Sequence, residues 1–200
     1  MSEDAELVKK LRMITNSGIL DCRNALKEAE GNLDKAVEIM RKKGLAKAEK
    51  KLMRATDQGR IESYIHLGGR IGVLLEIKCE TDFVARNDTF RNLARDVCMH
   101  IAAMKPVCVL KEAVPPEVLE REKAIYRESP ELKSKPENVR EKIIEGRLKK
   151  FYSDSVLLEQ PFVKDEKVTV GEYIKQNIAK FGENISVTRF VRFEIGEECK

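Results

Sequence analysis

The stretch "CETDFVARND" (residues 79–88) places the carboxylate of Asp82 beside the aromatic ring of Phe83. It follows the apolar run "IGVLLEIK" and precedes a long helical pattern, so it lies where the chain turns from one element to the next. Phe is usually buried and Asp is usually solvated. Two interpretations stay open: Phe83 folds back as a plug of the core, or the ring and the carboxylate are presented rigidly to a partner.

Capping residues predict how this junction is held. Thr81 is suited to cap a turn of helix over residues 82–86, and Asp88 is suited to cap the helix that follows. Asn87 tolerates the left-handed conformation and can separate the two turns. The direction of the chain at the junction is therefore predicted to be set by two caps.

The sequence offers no set of residues for enzymatic catalysis. His66 falls on a predicted strand and His100 within a predicted helix, and neither belongs to a cluster with metal-ligand spacing. "GGRIG" lacks the Lys-Ser or Lys-Thr of a phosphate-binding loop, and its glycines fit a hairpin turn instead. We therefore expect a protein that is not an enzyme and that has no metal and no cofactor.

The cysteines favour an intracellular protein with free thiols. Their number is odd and no two of them form a CxxC pair, so neither a zinc site nor a disulfide scaffold is predicted. The five positions are Cys22, Cys79, Cys98, Cys108 and Cys199. Cys199, next to the C-terminus, is the one that could be exposed and reactive.

Composition and charge predict a soluble chain without a nucleic-acid surface. The N-terminal "MSEDAELVKK" lacks the apolar core of a signal peptide, and no apolar run approaches the roughly 18 residues of a membrane-spanning helix. The net charge of +4 is small, and Lys and Arg alternate with Glu in "REKAIYRESPELKSKPENVREK". Interleaved charges are typical of solvated helix faces, so we expect a cytoplasmic protein that binds neither nucleic acid nor membranes.

Residues 2–44 show the apolar spacing of three short helices. Ser2 is suited to cap the first, which stops at "TNSG"; the second stops at Gly31, Asn32 caps the third, and Gly44 is predicted to end it. The predicted inner positions are Leu7, Val8, Leu11 and Ile14; Cys22, Ala25, Leu26 and Ala29; and Leu33, Ala36, Val37 and Met40. So small a core predicts marginal stability for this module alone.

The spacing of apolar residues changes to period 2 after Gly59, which predicts a β-hairpin with "GGR" as its turn. The two sets that share a face are Ile61, Ser63, Ile65 and Leu67, and Val73, Leu75, Ile77 and Cys79. Helices are predicted over residues 88–104, 114–127, 135–158 and 169–182. Strands are predicted over residues 107–110 and 185–195. The inner positions of the first of these helices are Phe90, Leu93, Ala94, Val97, Ile101 and Met104. Gly146 lies inside a helix, which predicts a close packing contact there.

The order of these elements predicts an α+β protein. We expect a three-helix module with its helical connector over residues 1–54. A core over residues 55–200 is expected to follow, in which helices cover an antiparallel β-sheet.

Four segments in the expected order resemble the bacterial elongation factor Ts family, the guanine-nucleotide exchange factors of elongation factor Tu. They are "LVKKLRMITNSGILDCRNALKEAEGNLDKAVEIMRKKG", "RIGVLLEIKCETDFVARNDTF", "KIIEGRLKKFYSDSVLLEQPFVKDEKVTVGEYI" and "GENISVTRFVRFEIGE". The second is the most specific, and together they cover essentially the whole chain. The resemblance implies a ubiquitin-associated-like fold for the three-helix module.

The resemblance implies a role for the junction. Thr81, Asp82, Phe83 and Val84 match the segment that reaches elongation factor Tu near its nucleotide-bound magnesium. The ring is expected to wedge between GTPase side chains and shift a helix. Magnesium coordination and the phosphate loop are then disturbed.

Two further surfaces are implied by the same resemblance. Leu20 and Arg23 match positions that face a helix of the GTPase nucleotide domain, and the C-terminal part of the core is expected to touch another GTPase domain. Longer members of the family have a duplicated core and a projecting helical hairpin, which this chain lacks. It resembles the short type, for which a homodimer through the sheet of the core is expected.

Two other functions remain as alternatives. In the first, the three-helix module binds ubiquitin-like or other helical ligands and the core is only a scaffold, so binding would be lost with residues 1–54. In the second, the chain binds RNA, which predicts a steep salt dependence. The interleaved charges argue against the second alternative.

Overall fold

The computed structural model describes residues 3–15, 17–133 and 135–197, and it confirms the predicted α+β class. The helices are α1 (Glu3–Thr15), α2 (Ile19–Glu28), α3 (Leu33–Glu49), α4 (Asp82–Ala85), α5 (Asp88–Met104), α6 (Pro116–Glu128), α7 (Pro130–Lys133), α8 (Glu137–Ser155) and α9 (Val170–Phe181). The strands are β1 (Gln58–Ile65), β2 (Ile71–Cys79), β3 (Pro161–Phe162), β4 (Asp165–Thr169) and β5 (Ile185–Glu194). Short 3₁₀ turns lie at Lys111–Ala113 and Leu157–Glu159.

The chain forms two compact units. The first contains the described parts of Met1–Gly59 together with Lys78–Ala85 and Ile174–Ser186. The second contains Arg60–Ile77 and the described parts of Arg86–Tyr173 and Val187–Lys200. Helices α1–α3, the short helix α4 and most of α9 therefore belong to the first unit, and most of the three-stranded sheet belongs to the second.

Helices α1, α2 and α3 pack around one small core, as predicted. Its buried members are Leu11, Cys22, Ala25, Leu26, Ala29, Ala36 and Met40, and Leu7, Val8, Leu33 and Val37 pack against them half-buried. The Asn32 side chain caps α3 by accepting a hydrogen bond of 3.0 Å from the Lys35 amide. Ile14, in contrast, is 57% exposed, so its predicted place in the core is wrong.

Helix α3 does not end at Gly44, as its glycine predicted, but continues to Glu49. A Cβ added at Gly44 would lie 3.3 Å from the Cβ of Ala179 on α9, within the same unit. This glycine therefore permits a close approach of two helices instead of a helix end. The signal was misinterpreted because both uses of glycine depend on its missing side chain.

The hairpin of β1 and β2 is extended by β5 into a three-stranded sheet with the order β1-β2-β5. Gly68 and Gly69 form its turn with φ values of 87° and 69°, a region that favours glycine. Val73, Leu75, Ile77 and Cys79 of the central strand are buried, as their alternation predicted. One face of the sheet thus belongs to the core.

The opposite face of this sheet is apolar and exposed. A Cβ on Gly72 would lie 3.2 Å from Ile65, and Arg189 of β5 pairs with Glu76 of β2 at 2.6 Å, so these residues share that face. Alternation along each strand adds the remaining members. The large apolar residues are Ile61 (67% exposed), Ile65 (67%), Leu74 (47%), Val191 (47%) and Phe193 (58%). We call these five residues the open sheet face.

Helix α5 is capped by Asn87, and the predicted roles of two residues were wrong. The Asn87 side chain accepts a hydrogen bond of 2.7 Å from the Thr89 amide, with φ at −71°, which is not left-handed. Asp88 is the first helical residue, where its charge suits the helix dipole. The other predicted inner positions of α5 are buried, but Met104 is 42% exposed.

His100 of α5 lies in a satisfied polar network. The Val163 amide donates to Nδ1 (3.2 Å), so Nε2 carries the proton and donates to the Gln160 side-chain oxygen (3.0 Å). The amide nitrogen of Gln160 donates to the carbonyls of Met104 (3.3 Å) and Asp154 (2.8 Å). His100 is fully buried, and both ring nitrogens have partners within the protein.

Residues 107–110 were predicted as a strand but form only an isolated bridge, between Cys108 and Val156. The short β3–β4 hairpin was not predicted, because its two strands are too brief to show alternation. The described cysteines are free; Cys22, Cys79 and Cys98 are buried and Cys108 is half-buried. Burial, with the nearby Glu62 carboxylate, raises the pKa of the Cys98 thiol to about 12.

The predictions made for Ser2, Asn16 in "TNSG" and Cys199 lie outside the described residues. Within the described ranges, no helix combines the length and the apolar character needed to cross a membrane.

Gly146 generates a prediction about stability. A Cβ added there meets no described atom within 4 Å, so the expected packing contact is wrong. Gly146→Ala should raise the free energy of unfolding by about 0.5–1 kcal/mol, because Ala loses less backbone entropy in a helix. Urea denaturation checks it, with Gly44→Ala as the control, which should gain less because its Cβ approaches Ala179. A destabilised Gly146→Ala variant would contradict this prediction.

His100 generates a prediction about pH. Burial lowers the pKa of His100 in the folded protein, although Gln160 bonds to the ring. At a pH between this pKa and that of the unfolded chain, the unfolded chain binds more protons than the folded protein. The free energy of unfolding should therefore fall as the pH drops below about 6.5. His100→Gln should lose about 1–3 kcal/mol at pH 8, because it disturbs buried partners, and should lack this part of the acid dependence. Urea denaturation at pH 8 and pH 5.5 measures both, and equal losses on acidification in the two proteins would refute the assignment.

Candidate functional site

Residues 80–85, which we call the corner, connect the end of β2 to the segment before α5. Four of them form the short helix α4. Val84 and Ala85 are buried, at 6% and 8% exposure. Phe83, which precedes them, is 78% exposed. The ring is therefore not a plug of the core, and the first of the two interpretations of Phe83 is wrong.

Thr81 caps the corner as predicted. Its hydroxyl accepts a hydrogen bond from the Val84 amide (3.4 Å), and its carbonyl accepts one from the Ala85 amide (3.2 Å). The same carbonyl accepts from the Cys79 thiol at 3.2 Å. Burial and the neighbouring Glu183 carboxylate raise the pKa of Cys79 to about 11, so the thiol keeps its proton and acts as the donor.

A carboxylate from a distant part of the sequence binds both polar groups of Thr81. The Thr81 hydroxyl donates to one oxygen of Glu183 at 2.6 Å, and the Thr81 amide donates to the other at 3.0 Å. Hydrogen bonds to a charged acceptor are roughly twice as strong as neutral ones. Thr81 is thus held from outside the corner as well as from within it.

Asn184, the next residue along the chain, holds the position before Thr81. Its backbone amide donates to Glu80 at 2.6 Å, and its side-chain amide donates to the carbonyls of Leu52 (3.1 Å) and Arg54 (2.7 Å). Arg54 also pairs with Glu80 at 3.5 Å. Residues 183 and 184 therefore join the corner to residues 50–57, the connector between α3 and β1. We call this set of hydrogen bonds the polar clamp.

Leu20 and Arg23, the site residues predicted in the three-helix module, are both exposed on α2, and Leu20 is 74% exposed. They belong to the same compact unit as the corner. The other large exposed apolar residues at this end of the module are Met13, Ile14 and Ile19. Arg23 also lines a groove of about 1020 Å³ along α1 and α2. The module thus presents an apolar surface with a cation beside it.

The corner presents an exposed aromatic ring and a carboxylate at neighbouring positions. Thr81, Asp82, Phe83 and Val84 are brought together on one turn, which presents a ring beside a carboxylate. Among the described residues there is no group of three or more His, Cys, Asp or Glu that could hold a metal ion. An exposed aromatic side chain on a fixed backbone is the kind of residue that dominates the energetics of protein interfaces.

Sequence reasoning missed the polar clamp. Glu183 and Asn184 lie about a hundred positions after the residues that they bind, and spacing along the chain carries no sign of that contact. The one available signal was local: "GEN" places a carboxylate and an amide between the glycine that ends α9 and the start of β5. Polar residues at such a position often bond to backbone groups.

Comparison with known proteins identifies the family. Residues 5–197 match the family described as "Elongation factor TS". The chain is 57% identical to elongation factor Ts of Fervidobacterium nodosum over 98% of its length and 100% of the relative. It is 54% identical to that of Thermotoga neapolitana (99% and 100%) and to that of Geobacter sulfurreducens (98% and 91%). The chain therefore belongs to the elongation factor Ts family of translation elongation factors.

Proposed function

We propose that this protein is a guanine-nucleotide exchange factor in the cytoplasm. It binds elongation factor Tu with GDP, disturbs the magnesium and phosphate site, and promotes GDP release so that GTP can rebind. It acts by binding, without a catalytic residue set and without a cofactor. The observation that carries this proposal is the 78% exposure of Phe83 on a capped and clamped corner, in a member of this family.

The energetics of exchange require coupled binding, not the supply of the whole nucleotide affinity. A nucleotide held with a Kd of about 1 nM has a binding free energy of about −12 kcal/mol. The factor must bind the nucleotide-free GTPase more tightly than the loaded GTPase, and the two ligands then weaken each other's binding by the same factor. A bound magnesium ion is the largest local charge at the phosphates, so displacing it weakens the hold on GDP.

The residues of the corner have different tasks in this proposal. Phe83 is the wedge that stabilises a distorted partner, and because its backbone is ordered in advance, little ordering is needed on binding. Asp82 brings a negative charge towards a phosphate and carboxylate site, which disfavours the loaded state. Val84 is 6% exposed and serves as the buried anchor of the turn, and Thr81 is its cap.

The three-helix module supplies a second contact. Leu20 and Arg23 are proposed to face a helix of the GTPase nucleotide domain, which their exposure on α2 supports. For binding, we propose residues 1–54 and 55–200 as the functional domains, with the C-terminal part of the latter touching another domain of elongation factor Tu. No contact with nucleic acid or membranes is needed for this function.

The open sheet face supports a homodimer as the working form. A contiguous exposed apolar surface of this kind marks an interaction site, and we propose that a second copy of this chain covers it. The charged pair Glu76–Arg189 beside the apolar residues offers each sign to a symmetric partner. In a two-fold interface the same residues serve both subunits, so each contributes twice.

The exchange activity can be tested with fluorescent GDP preloaded on a bacterial elongation factor Tu. Its release should accelerate on addition of the protein, and no acceleration at micromolar concentrations would refute the proposal. Phe83→Ala should lower the rate constant of factor-stimulated GDP release about thirtyfold. This corresponds to a loss of roughly 2 kcal/mol, as for truncation of a hot-spot aromatic residue.

A matched control separates binding from folding. Phe83 is exposed, so its truncation should change the free energy of unfolding by less than about 0.5 kcal/mol. Ile125→Ala, at an exposed apolar position of α6, should leave exchange unchanged. The wedge would be contradicted if Phe83→Ala unfolded the protein, or if the two variants slowed GDP release equally.

The dimer is tested by sedimentation. Phe193→Lys should raise the dimer Kd by about two to four orders of magnitude, because two copies of a side chain worth about 1.5–3 kcal/mol of burial are replaced at once. Phe83→Ala removes an exposed ring outside this face and should remain dimeric. A monomeric wild-type protein at high concentration would overturn the proposed dimer.

A further inference from the structure

Glu183 lies in the turn between α9 and β5. It follows Gly182, whose φ of 75° turns the chain at the end of α9, and it precedes β5. Its half-buried side chain leaves this turn and places one oxygen on the hydroxyl of Thr81 and the other on the amide, at 2.6 and 3.0 Å. Both acceptor atoms of the carboxylate are used on a single residue of the corner.

The corner benefits from such support because it is short. Helix α4 has four residues, far fewer than an isolated helix needs to persist in water. Its internal cap, from the Val84 amide to the Thr81 hydroxyl, is long at 3.4 Å. Burial of Val84 and Ala85 fixes one end of the turn. At the other end the Thr81 carbonyl has local donors, but the Thr81 amide and hydroxyl both donate to Glu183.

The neighbouring bonds of the clamp make Glu183 a rigid support. Asn184 is 4% exposed and is bonded through its backbone to Glu80 and through its side chain to Leu52 and Arg54. A residue held in this way restricts the position of the residue before it. The carboxylate of Glu183 is thus presented to Thr81 from a fixed backbone.

We propose that Glu183 is a positioning residue for nucleotide exchange, which acts through Thr81 to hold the Phe83 wedge in its exposed orientation. The inference rests on the proposed exchange function. Glu183 need not touch the partner: its two hydrogen bonds restrict the backbone that carries the ring. Loss of these bonds allows the corner to move, and the ring then loses the preorganisation that makes it an effective wedge.

The variant Glu183→Gln tests this role because it preserves the size of the side chain. One acceptor oxygen becomes an amide group that cannot accept from Thr81, and the negative charge is lost. In the free protein, the amide protons of Thr81, Val84 and Ala85 should exchange with solvent about tenfold faster than in the wild type. GDP release from preloaded elongation factor Tu should become about tenfold slower.

Glu49→Gln is the matched control. Glu49 pairs with Lys175 at 3.7 Å in the same compact unit, and this substitution makes the same change in charge without touching the corner. It should leave amide exchange at residues 81–85 and GDP release unchanged. Equal effects of the two substitutions would show a general charge effect and would overturn the positioning role.

A double-mutant cycle separates positioning from a structural contribution. If Glu183 acts through the ring, then Glu183→Gln should slow GDP release no further once Phe83 is replaced by Ala. The faster amide exchange should persist in the double variant, because it does not depend on the ring. Independent losses of exchange rate that multiply would contradict the proposal.

The two measurements distinguish this inference from the proposed function. Unchanged amide exchange in Glu183→Gln overturns the positioning role, whatever the activity. Faster amide exchange with unchanged GDP release shows that the position of the corner does not matter for exchange and equally overturns it. A wild-type protein that fails to accelerate GDP release overturns the proposed function itself, and the amide result then shows only that Glu183 orders the corner.

Discussion

The two hydrogen bonds from Thr81 to the Glu183 carboxylate hold the backbone that carries Phe83. An exposed Phe side chain forgoes about 1.5–3 kcal/mol of burial free energy, so a free chain would favour folding it inward. Here one end of the turn is fixed by hydrogen bonds and the other by the burial of Val84 and Ala85. We infer that these constraints on its neighbours keep the ring exposed.

The same turn after α9 also stabilises the three-helix module, whose own core is small. Lys51 donates to the carbonyl of Gly182, and Asn184 donates to two carbonyls of the connector. Gly44 lets α3 approach Ala179 of α9 closely. Asn184 is 4% exposed and Gly44 packs closely, whereas the hydrogen bond from Lys51 is exposed, so the first two contacts account for more of this stabilisation. The corner and the module are thus parts of one unit that shares its supports.

Local patterns predicted the elements, and contacts between distant residues decided how they are used. Periodicity placed the helices of the module and both faces of the hairpin, and the Thr81 cap was evident from its type and position. Two glycines show what local patterns cannot predict. Both lie inside helices, but Gly44 permits a close approach to another helix, whereas Gly146 faces open space. Glu183 shows it again: its partner is more than a hundred positions away. The support that we propose Glu183 gives to Phe83 therefore leaves no trace in any local pattern.

Rigidity at the corner has a thermodynamic consequence if the protein acts as an exchange factor. A preorganised wedge increases the affinity for the nucleotide-free GTPase, and by linkage it weakens nucleotide binding by the same factor. That factor has an upper limit, because GTP must rebind and displace the exchange factor in turn. A single ring on a four-residue turn, held by hydrogen bonds instead of a large interface, suits a coupling of moderate size. The contact that drives GDP out is then also one that GTP can reverse.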